Sequence, residues 1–169
     1  ISRVFTHLQI QEQKNQLIQK EMQLQESESK LKAVINSIPD PIFYKDIHST
    51  YTGVNKAFVD FIGKKTEEII GRNDTDFFNS YLANTFNSSD QEIIQTGKKT
   101  NFAEWMKDSM GNDVFFDTTK TPLLNAEGEI SGVVGISRDN THLKKTEFVL
   151  KENQNKLQLI YDHANEGIF

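Results

Sequence analysis

Hydrophobic residues recur every seven positions in two long, otherwise polar segments. The first segment, from Thr6 to Ser37, contains no glycine or proline. The repeated positions are Ile10, Leu17, Leu24, Leu31 and Ile38 in the first segment, and Leu143, Leu150, Leu157 and Ala164 in the second. This repeat is typical of helices that pair in a coiled coil. The pattern predicts a linker helix at residues 6–37 and another long helix at 142–163, through which two copies of the chain form a homodimer.

The segment between these helices alternates between strand-like and helix-like patterns. Pro39-Asp40-Pro41 ends the first helix, because proline lacks the backbone donor and restricts the residue before it. Apolar segments bounded by polar turns predict strands at residues 42–46, 51–54, 102–107, 113–124 and 130–138. Helical spacing leads up to Gly97, although the polar residues 84–90 leave open an interruption of that helix. The order predicts an α+β fold: a five-stranded antiparallel sheet with short helices on one face.

Two short helices are predicted between the second and third strands. Asn55 can cap a helix whose apolar face is Ala57, Phe58, Phe61 and Ile62, and Gly63 ends it. Thr66 can cap a second turn that Gly71 ends. Glycines therefore punctuate this region, and the GKKT segments at 63–66 and 97–100 are interpreted as helix ends, since they lack the glycine spacing of a phosphate loop.

These motifs resemble the PAS domain, a small sensory module of bacterial signalling proteins. The resemblance rests on N-x-x-F at 55–58, Gly63, and T-E-E-I-I-G at 66–71, and on a closing strand from Gly132 that ends in an Asp-x-Thr turn at 139–141. It implies a PAS domain at residues 38–141 and a C-terminal signalling helix at 142–163. Asp139 and Thr141 are then expected to relay the signal, because both side chains can accept hydrogen bonds from the first N–H groups of that helix.

The chain also repeats itself at its two ends. Residues 1–9 match residues 136–144 in six of nine positions, and residues 156–169 echo residues 30–43 more weakly. We therefore expect a fragment of a tandem array, in which residues 1–5 are the tail of a preceding module and residues 164–169 the start of a following PAS-like repeat. The resemblance implies that the complete protein is a sensor histidine kinase or a diguanylate cyclase, with its output domain outside this segment.

Composition narrows the candidate chemistry. A net charge of −5 gives no support to a nucleic-acid partner, and no apolar run is long enough for a membrane helix, so a cytoplasmic segment is expected. The absence of cysteine excludes thiolate catalysis and the covalent flavin chemistry of some PAS domains. None of the four histidines falls in 79–97, where haem-binding PAS domains place their iron ligand.

No catalytic residue, metal site or cofactor is predicted. Noncovalent flavin stays open, although strand alternation places Trp105, the single indole, opposite the face of Phe102 and Met106. The neighbouring carboxylates Asp74 and Asp76, like Glu67 and Glu68, are assigned to helix starts rather than to a metal site.

The inward face of the predicted sheet and the helices above it supply a candidate ligand pocket. Its expected residues are Phe43, Phe58, Phe61, Phe86, Phe102, Met106, Phe116, Thr118, Val133 and Ser137. An unknown small molecule could bind there, with the two hydroxyls as its polar contacts. The alternative, which we favour, is a filled core with both hydroxyls bonded to backbone, because aromatic side chains usually pack on each other. The functional prediction is a sensory or relay module, and the alternative is a structural dimerisation spacer that binds no ligand.

Overall fold

The computed structural model describes residues 2–166 and divides into two units between Pro39 and Asp40. The first unit is one helix, α1 (Ser2–Ser37), whose heptad leucines are exposed. The predicted start at Thr6 is therefore wrong: residues 2–5 are helical, because they contain no glycine or proline that would separate them from the helix that follows. Their assignment to a preceding module stays a prediction.

The second unit contains the sheet. Its strands are β1 (Ile42–Asp46), β2 (Tyr51–Val54), β3 (Thr100–Lys107), β4 (Asp113–Leu124) and β5 (Ile130–Asp139), all antiparallel in the order β2-β1-β5-β4-β3. The helices are α2 (Lys56–Ile62), α3 (Thr66–Ile69), α4 (Ser80–Thr96) and α5 (Thr141–Glu166), with a 3₁₀ turn at Asp74–Asp76. The predicted α+β architecture is confirmed. Residues 164–166 continue α5, and 167–169, the rest of the predicted following repeat, lie outside the described residues.

Asn55 fixes the entry to α2 and ties it to β1. Its side-chain oxygen accepts hydrogen bonds from the N–H groups of Phe58 and Ile42, at 3.0 and 2.9 Å, and its amide donates to the carbonyl of Asp40. Gly63 ends α2 with φ +70°, a left-handed conformation that favours glycine. Both the cap and the stop predicted for this helix are confirmed.

The predicted cap of α3 is wrong by one residue. Thr66 is the first helical residue, and Lys65 occupies the cap position, where its N–H donates to the Glu68 carboxylate at 2.9 Å. The reason is the position of Glu68, three residues after Lys65. Its carboxylate can accept a hydrogen bond from the backbone N–H of the cap residue, which stabilises a helix that starts one residue earlier.

Helix α4 runs without interruption through the polar residues 84–90. Phe86 and Asp90, one turn apart, face the interior, while Asn84, Thr85, Asn87 and Ser88 are exposed. Gly97 then ends the helix with φ +68°, as the second GKKT segment predicted. The polar run is thus the solvent face of an amphipathic helix, with one aspartate on its buried side.

Candidate functional site

A small cavity lies between the inward face of the sheet and helices α2 and α4. Its volume is about 20 Å³, which is room for about one water molecule. The side chains around it are Pro41, Phe43, Lys45, Tyr51, Phe58, Phe61, Asp74, Phe78, Phe86, Phe102, Met106, Phe116, Thr118, Lys120 and Ser137. Nine of the ten predicted pocket residues are among them. Val133 is fully buried but does not line the cavity.

The two predicted hydroxyls bond to each other rather than to backbone. Thr118 donates to Ser137 across the β4–β5 pair, at 2.9 Å between their Oγ atoms. This corrects the filled-core expectation for these two residues. The buried Thr118 hydroxyl therefore has its hydrogen-bond partner within the cavity wall.

Four buried charged side chains that the sequence did not predict cluster at one end of the cavity, which three of them, Lys45, Asp74 and Lys120, line. Lys45 Nζ lies 2.5 Å from a carboxylate oxygen of Asp74 and 2.8 Å from one of Asp90. Lys120 Nζ lies 2.5 Å from the other Asp90 oxygen and 3.2 Å from the carbonyl of Phe86. Each of the four side chains is at most 3% exposed. We call them the buried quartet, and their formal charges sum to zero.

Strand alternation and helix periodicity bring the quartet together. Lys45 follows Phe43 by two residues on β1, and Lys120 follows Thr118 by two on β4, so both lysines share the inward face of their strands. Asp90 comes from the buried side of α4, and Asp74 from the 3₁₀ turn. The assignment of Asp74 to a helix start alone is wrong, because its carboxylate is buried against Lys45.

Asp76, by contrast, has the helix-start role that the sequence predicts. It is exposed, and its carboxylate accepts a hydrogen bond from the Asn73 N–H at the start of the 3₁₀ turn. The pair Glu67 and Glu68 likewise lies exposed in the first turn of α3.

Burial shifts the pKa values of two ionisable groups at this end of the cavity, Lys120 and Tyr51. Loss of hydration lowers the pKa of Lys120, and the positive charge of Lys45 lowers it further, while the Asp90 carboxylate opposes the shift and favours the ammonium form. Burial raises the pKa of Tyr51 well above its ordinary value, and so does the Asp74 carboxylate, to which the phenol donates at 2.6 Å. Tyr51 therefore acts as a neutral hydrogen-bond donor to the quartet.

Aromatic rings form the rest of the wall. Phe61 meets Phe116 edge to face with ring centroids 4.9 Å apart, and Phe86 contacts both Phe78 and Phe102 at 5.1 and 5.3 Å. Phe61, Phe78 and Phe102 are half-buried, whereas Phe86 and Phe116 are buried. Three half-buried phenylalanine rings thus line the cavity. One of them, Phe102, lies beside the charged end, with its ring centroid 5.6 Å from Lys120 Nζ.

Gly135 makes room for one of the buried rings. A Cβ atom at this position would lie 2.1 Å from the Phe43 ring, and Gly135 pairs with Phe43 in the β1–β5 register. The ring therefore lies directly over β5, where any other residue would push it towards the cavity.

The start of α5 is bonded to the sheet beside the cavity. Asp139 accepts a hydrogen bond from the Thr141 N–H at 2.8 Å, as predicted. The Thr141 hydroxyl, however, accepts from the Phe115 N–H of β4 at 2.8 Å rather than from the helix, and the Asn140 N–H donates to the Phe115 carbonyl at 2.9 Å. The expectation for Thr141 is wrong because β4 offers a donor within reach of its hydroxyl.

The remaining candidates lie away from the cavity. Trp105 is 41% exposed and packs on Phe115 at 5.1 Å, on the face opposite the cavity, as strand alternation predicted. His7 and His142 are exposed.

Within residues 2–166, no group of three or more histidine, cysteine, aspartate or glutamate side chains could hold a metal ion. Over the same residues, no helix is both long and apolar enough to cross a membrane.

Known proteins share this fold and parts of this sequence. The aerobic respiration control sensor protein ArcB of Escherichia coli (strain K12) is 21% identical over 127 residues, which are 75% of this chain and 16% of ArcB. The methanogenesis regulatory histidine kinase FilI of Methanothrix harundinacea (strain 6Ac) is 26% identical over 119 residues, or 70% of this chain and 13% of FilI. The chain therefore spans only a small part of each relative.

A solved structure extends the comparison. The Vibrio cholerae VqmA dimer has a TM-score of 0.61 and 26% identity, over 65% of this chain and 51% of VqmA. Another VqmA structure, with a TM-score of 0.61 and 25% identity, is bound to DPO. The profile of the PAS fold matches residues 35–145, which include all five strands. The resemblance found in the sequence is confirmed, and the chain belongs to the PAS fold family.

Proposed function

We propose that this PAS domain is a sensory or relay module of a larger cytoplasmic signalling protein, and that it passes a change at its cavity to α5. The similarity to ArcB, a sensor protein, and to FilI, a histidine kinase, supports a signalling role. The output domain, a histidine kinase or a diguanylate cyclase, and neighbouring PAS modules would belong to other parts of that protein. VqmA bound to DPO supports a small molecule as the input.

The bonding of Phe115 to the start of α5 is the observation that carries this proposal. Phe115 exchanges two hydrogen bonds with Asn140 and Thr141, and the next residue, Phe116, lines the cavity. Adjacent residues in a strand point to opposite faces but share one peptide group. A shift of the Phe116 ring therefore displaces the same backbone that holds the first turn of α5.

The signal would be a shift in the equilibrium between two arrangements of Phe61, Phe116 and the first turn of α5. Phe61 is half-buried, lines the cavity and rests on Phe116, so a ligand that moves Phe61 also moves Phe116. The equilibrium can shift only by the difference in the ligand's affinity for the two packings. A movement delivered by a neighbouring module would act on the same equilibrium without any ligand.

A homodimer would carry the signal onward. The heptad residues of α1 and α5 are largely exposed, with Leu24 and Leu157 at 61% and 67%. An exposed apolar seam that repeats every seven residues is stabilised when a second helix covers it. We propose that a second copy of the chain supplies that helix.

A structural spacer is the second candidate, and the size of the cavity favours it. About 20 Å³ leaves no room for a ligand larger than water unless side chains move. In this alternative the buried side chains are a filled core and the helices alone hold two copies together. The two candidates differ in whether the bonds between Phe115 and α5 affect output.

Substitutions at the turn test the proposal in the full-length protein. Thr141→Val removes the acceptor for the Phe115 N–H and keeps the side-chain shape, and Asp139→Ala removes the acceptor for the Thr141 N–H. Both should change the output activity while the domain stays folded by circular dichroism. Thr146→Val is the matched control, because its hydroxyl bonds only within α5, to the His142 carbonyl. Unchanged output in both turn variants would favour the spacer.

A further inference from the structure

We infer that the cavity selects an uncharged, ring-sized ligand whose hydrogen-bond acceptor faces the ammonium groups of Lys45 and Lys120. The inference rests on the proposed sensory function, since it names the ligand class of the same cavity. It follows from three features of that cavity: the charge balance of the buried quartet, the unused donors of its lysines, and the aromatic rings that line it.

The charge balance disfavours a charged ligand. Two ammonium groups and two carboxylates neutralise each other at 3% exposure or less. An anionic ligand would leave one negative charge uncompensated in a site without bulk water, and a cationic ligand would leave one positive charge. Burying an unpaired charge is costly, so the site favours a ligand that adds none.

The lysines nevertheless offer hydrogen bonds. An ammonium group has three N–H donors. Among the described residues, Lys45 Nζ has two acceptors, on Asp74 and Asp90, and Lys120 Nζ also has two, on Asp90 and the Phe86 carbonyl. Each lysine thus retains one donor, and both side chains border the cavity. Both Nζ atoms bond to the same carboxylate, Asp90, and lie 5.4 and 5.9 Å from the Phe43 ring centroid, so one acceptor near that ring could meet both.

The aromatic side chains of the cavity fit the flat faces of a ring. Phe61, Phe78 and Phe102 line the cavity and are only half-buried, so they have more freedom to turn outwards and admit a ligand than the buried rings have. Aromatic side chains pack well on aromatic ligands through offset and edge-to-face contacts. A ring-sized ligand that displaces Phe61 would also move Phe116, whose ring centroid is 4.9 Å away, and this contact connects binding to α5.

Four probes of similar size separate the possible ligand classes. Benzamide is neutral and carries an acceptor, benzoate is an anion, benzylammonium is a cation, and toluene has no acceptor. Their affinities for the whole chain would be measured by titration with detection of backbone amide chemical shifts. Benzamide should bind about tenfold or more tightly than each of the others, a preference of about 1.4 kcal/mol. The shifts should include Phe61 and Phe116.

Charge variants test the cause of that preference. Asp90→Asn leaves the quartet with one excess positive charge and should move the preference to benzoate. Lys120→Met leaves one excess negative charge and should move it to benzylammonium. Asp60→Asn, at an exposed ion pair with Lys56, should change nothing.

The affinities of the four probes for the unmodified chain are sufficient to test the inference. The test therefore does not depend on whether the buried variants fold. Benzoate or benzylammonium binding as tightly as benzamide would overturn the charge argument, and equal binding of toluene would overturn the role of the lysines. No binding of any probe at millimolar concentration would overturn the ligand class altogether. The relay to α5 would still stand or fall by the output of Thr141→Val.

Discussion

Asp90→Asn would measure how much the buried quartet contributes to stability. The Asp90 carboxylate accepts from both lysines, at 2.8 and 2.5 Å, and is 0% exposed. The amide preserves its shape but leaves one carboxylate, Asp74, for two buried ammonium groups. Removing one partner of a buried ion pair costs about 3–5 kcal/mol, because the remaining charge is buried without compensation. We therefore expect the free energy of unfolding to fall by that amount.

Asp60→Asn is the matched control, since it removes the same charge from a pair with Lys56 in which both side chains are more than 60% exposed. Such exposed pairs contribute about 0.5 kcal/mol or less. Urea unfolding followed by fluorescence of Trp105, the single tryptophan, and by circular dichroism gives both values. The double variant Asp90→Asn/Lys120→Met restores neutrality and should be more stable than Asp90→Asn alone. If Asp90→Asn loses no more than about 1 kcal/mol relative to Asp60→Asn, the quartet does not stabilise the fold as argued.

Two further predictions concern ionisation and assembly. Burial and the Asp74 carboxylate raise the pKa of Tyr51, so Tyr51→Phe should remove phenolate absorbance that develops only well above pH ~10. Because unfolded Tyr51 ionises near pH ~10 and folded Tyr51 does not, the free energy of unfolding should fall as pH rises past ~10; a flat pH dependence there would contradict this. Leu24→Asp should turn a dimer into a monomer in sedimentation analysis, whereas Gln25→Asp, one position off the seam, should not; equal effects would argue against the coiled coil.

The fold was predictable because its signals are local. The alternation of Phe102, Trp105 and Met106 along β3 gave the inward face correctly, and Asn55 and Gly63 gave the bounds of α2. These features depend on residues within a few positions of one another. The same reasoning predicts nine of the aromatic, apolar and hydroxyl side chains that line the cavity.

The charged end of the cavity was not predictable in the same way. Lys45 and Lys120 occupy inward positions of their strands, but a lysine in a strand is usually solvated, so the period-two pattern alone did not mark them as buried. Their partners, Asp74 and Asp90, are 29 to 45 residues away along the chain. Only the folded sheet brings them together. Inward-facing lysines on two core strands, β1 and β4, are the sequence signal that points to buried carboxylates.

The quartet also has a consequence for how the domain comes apart. Its members belong to β1, the 3₁₀ turn, α4 and β4, so none of these four elements can detach without leaving a charge unpaired in the interior. Partly unfolded forms are thereby penalised more than the fully unfolded chain, in which water solvates all four groups. The core should open cooperatively rather than by local fraying. A core that opens cooperatively also moves as a unit, so a displacement at one of these elements is transmitted to the others.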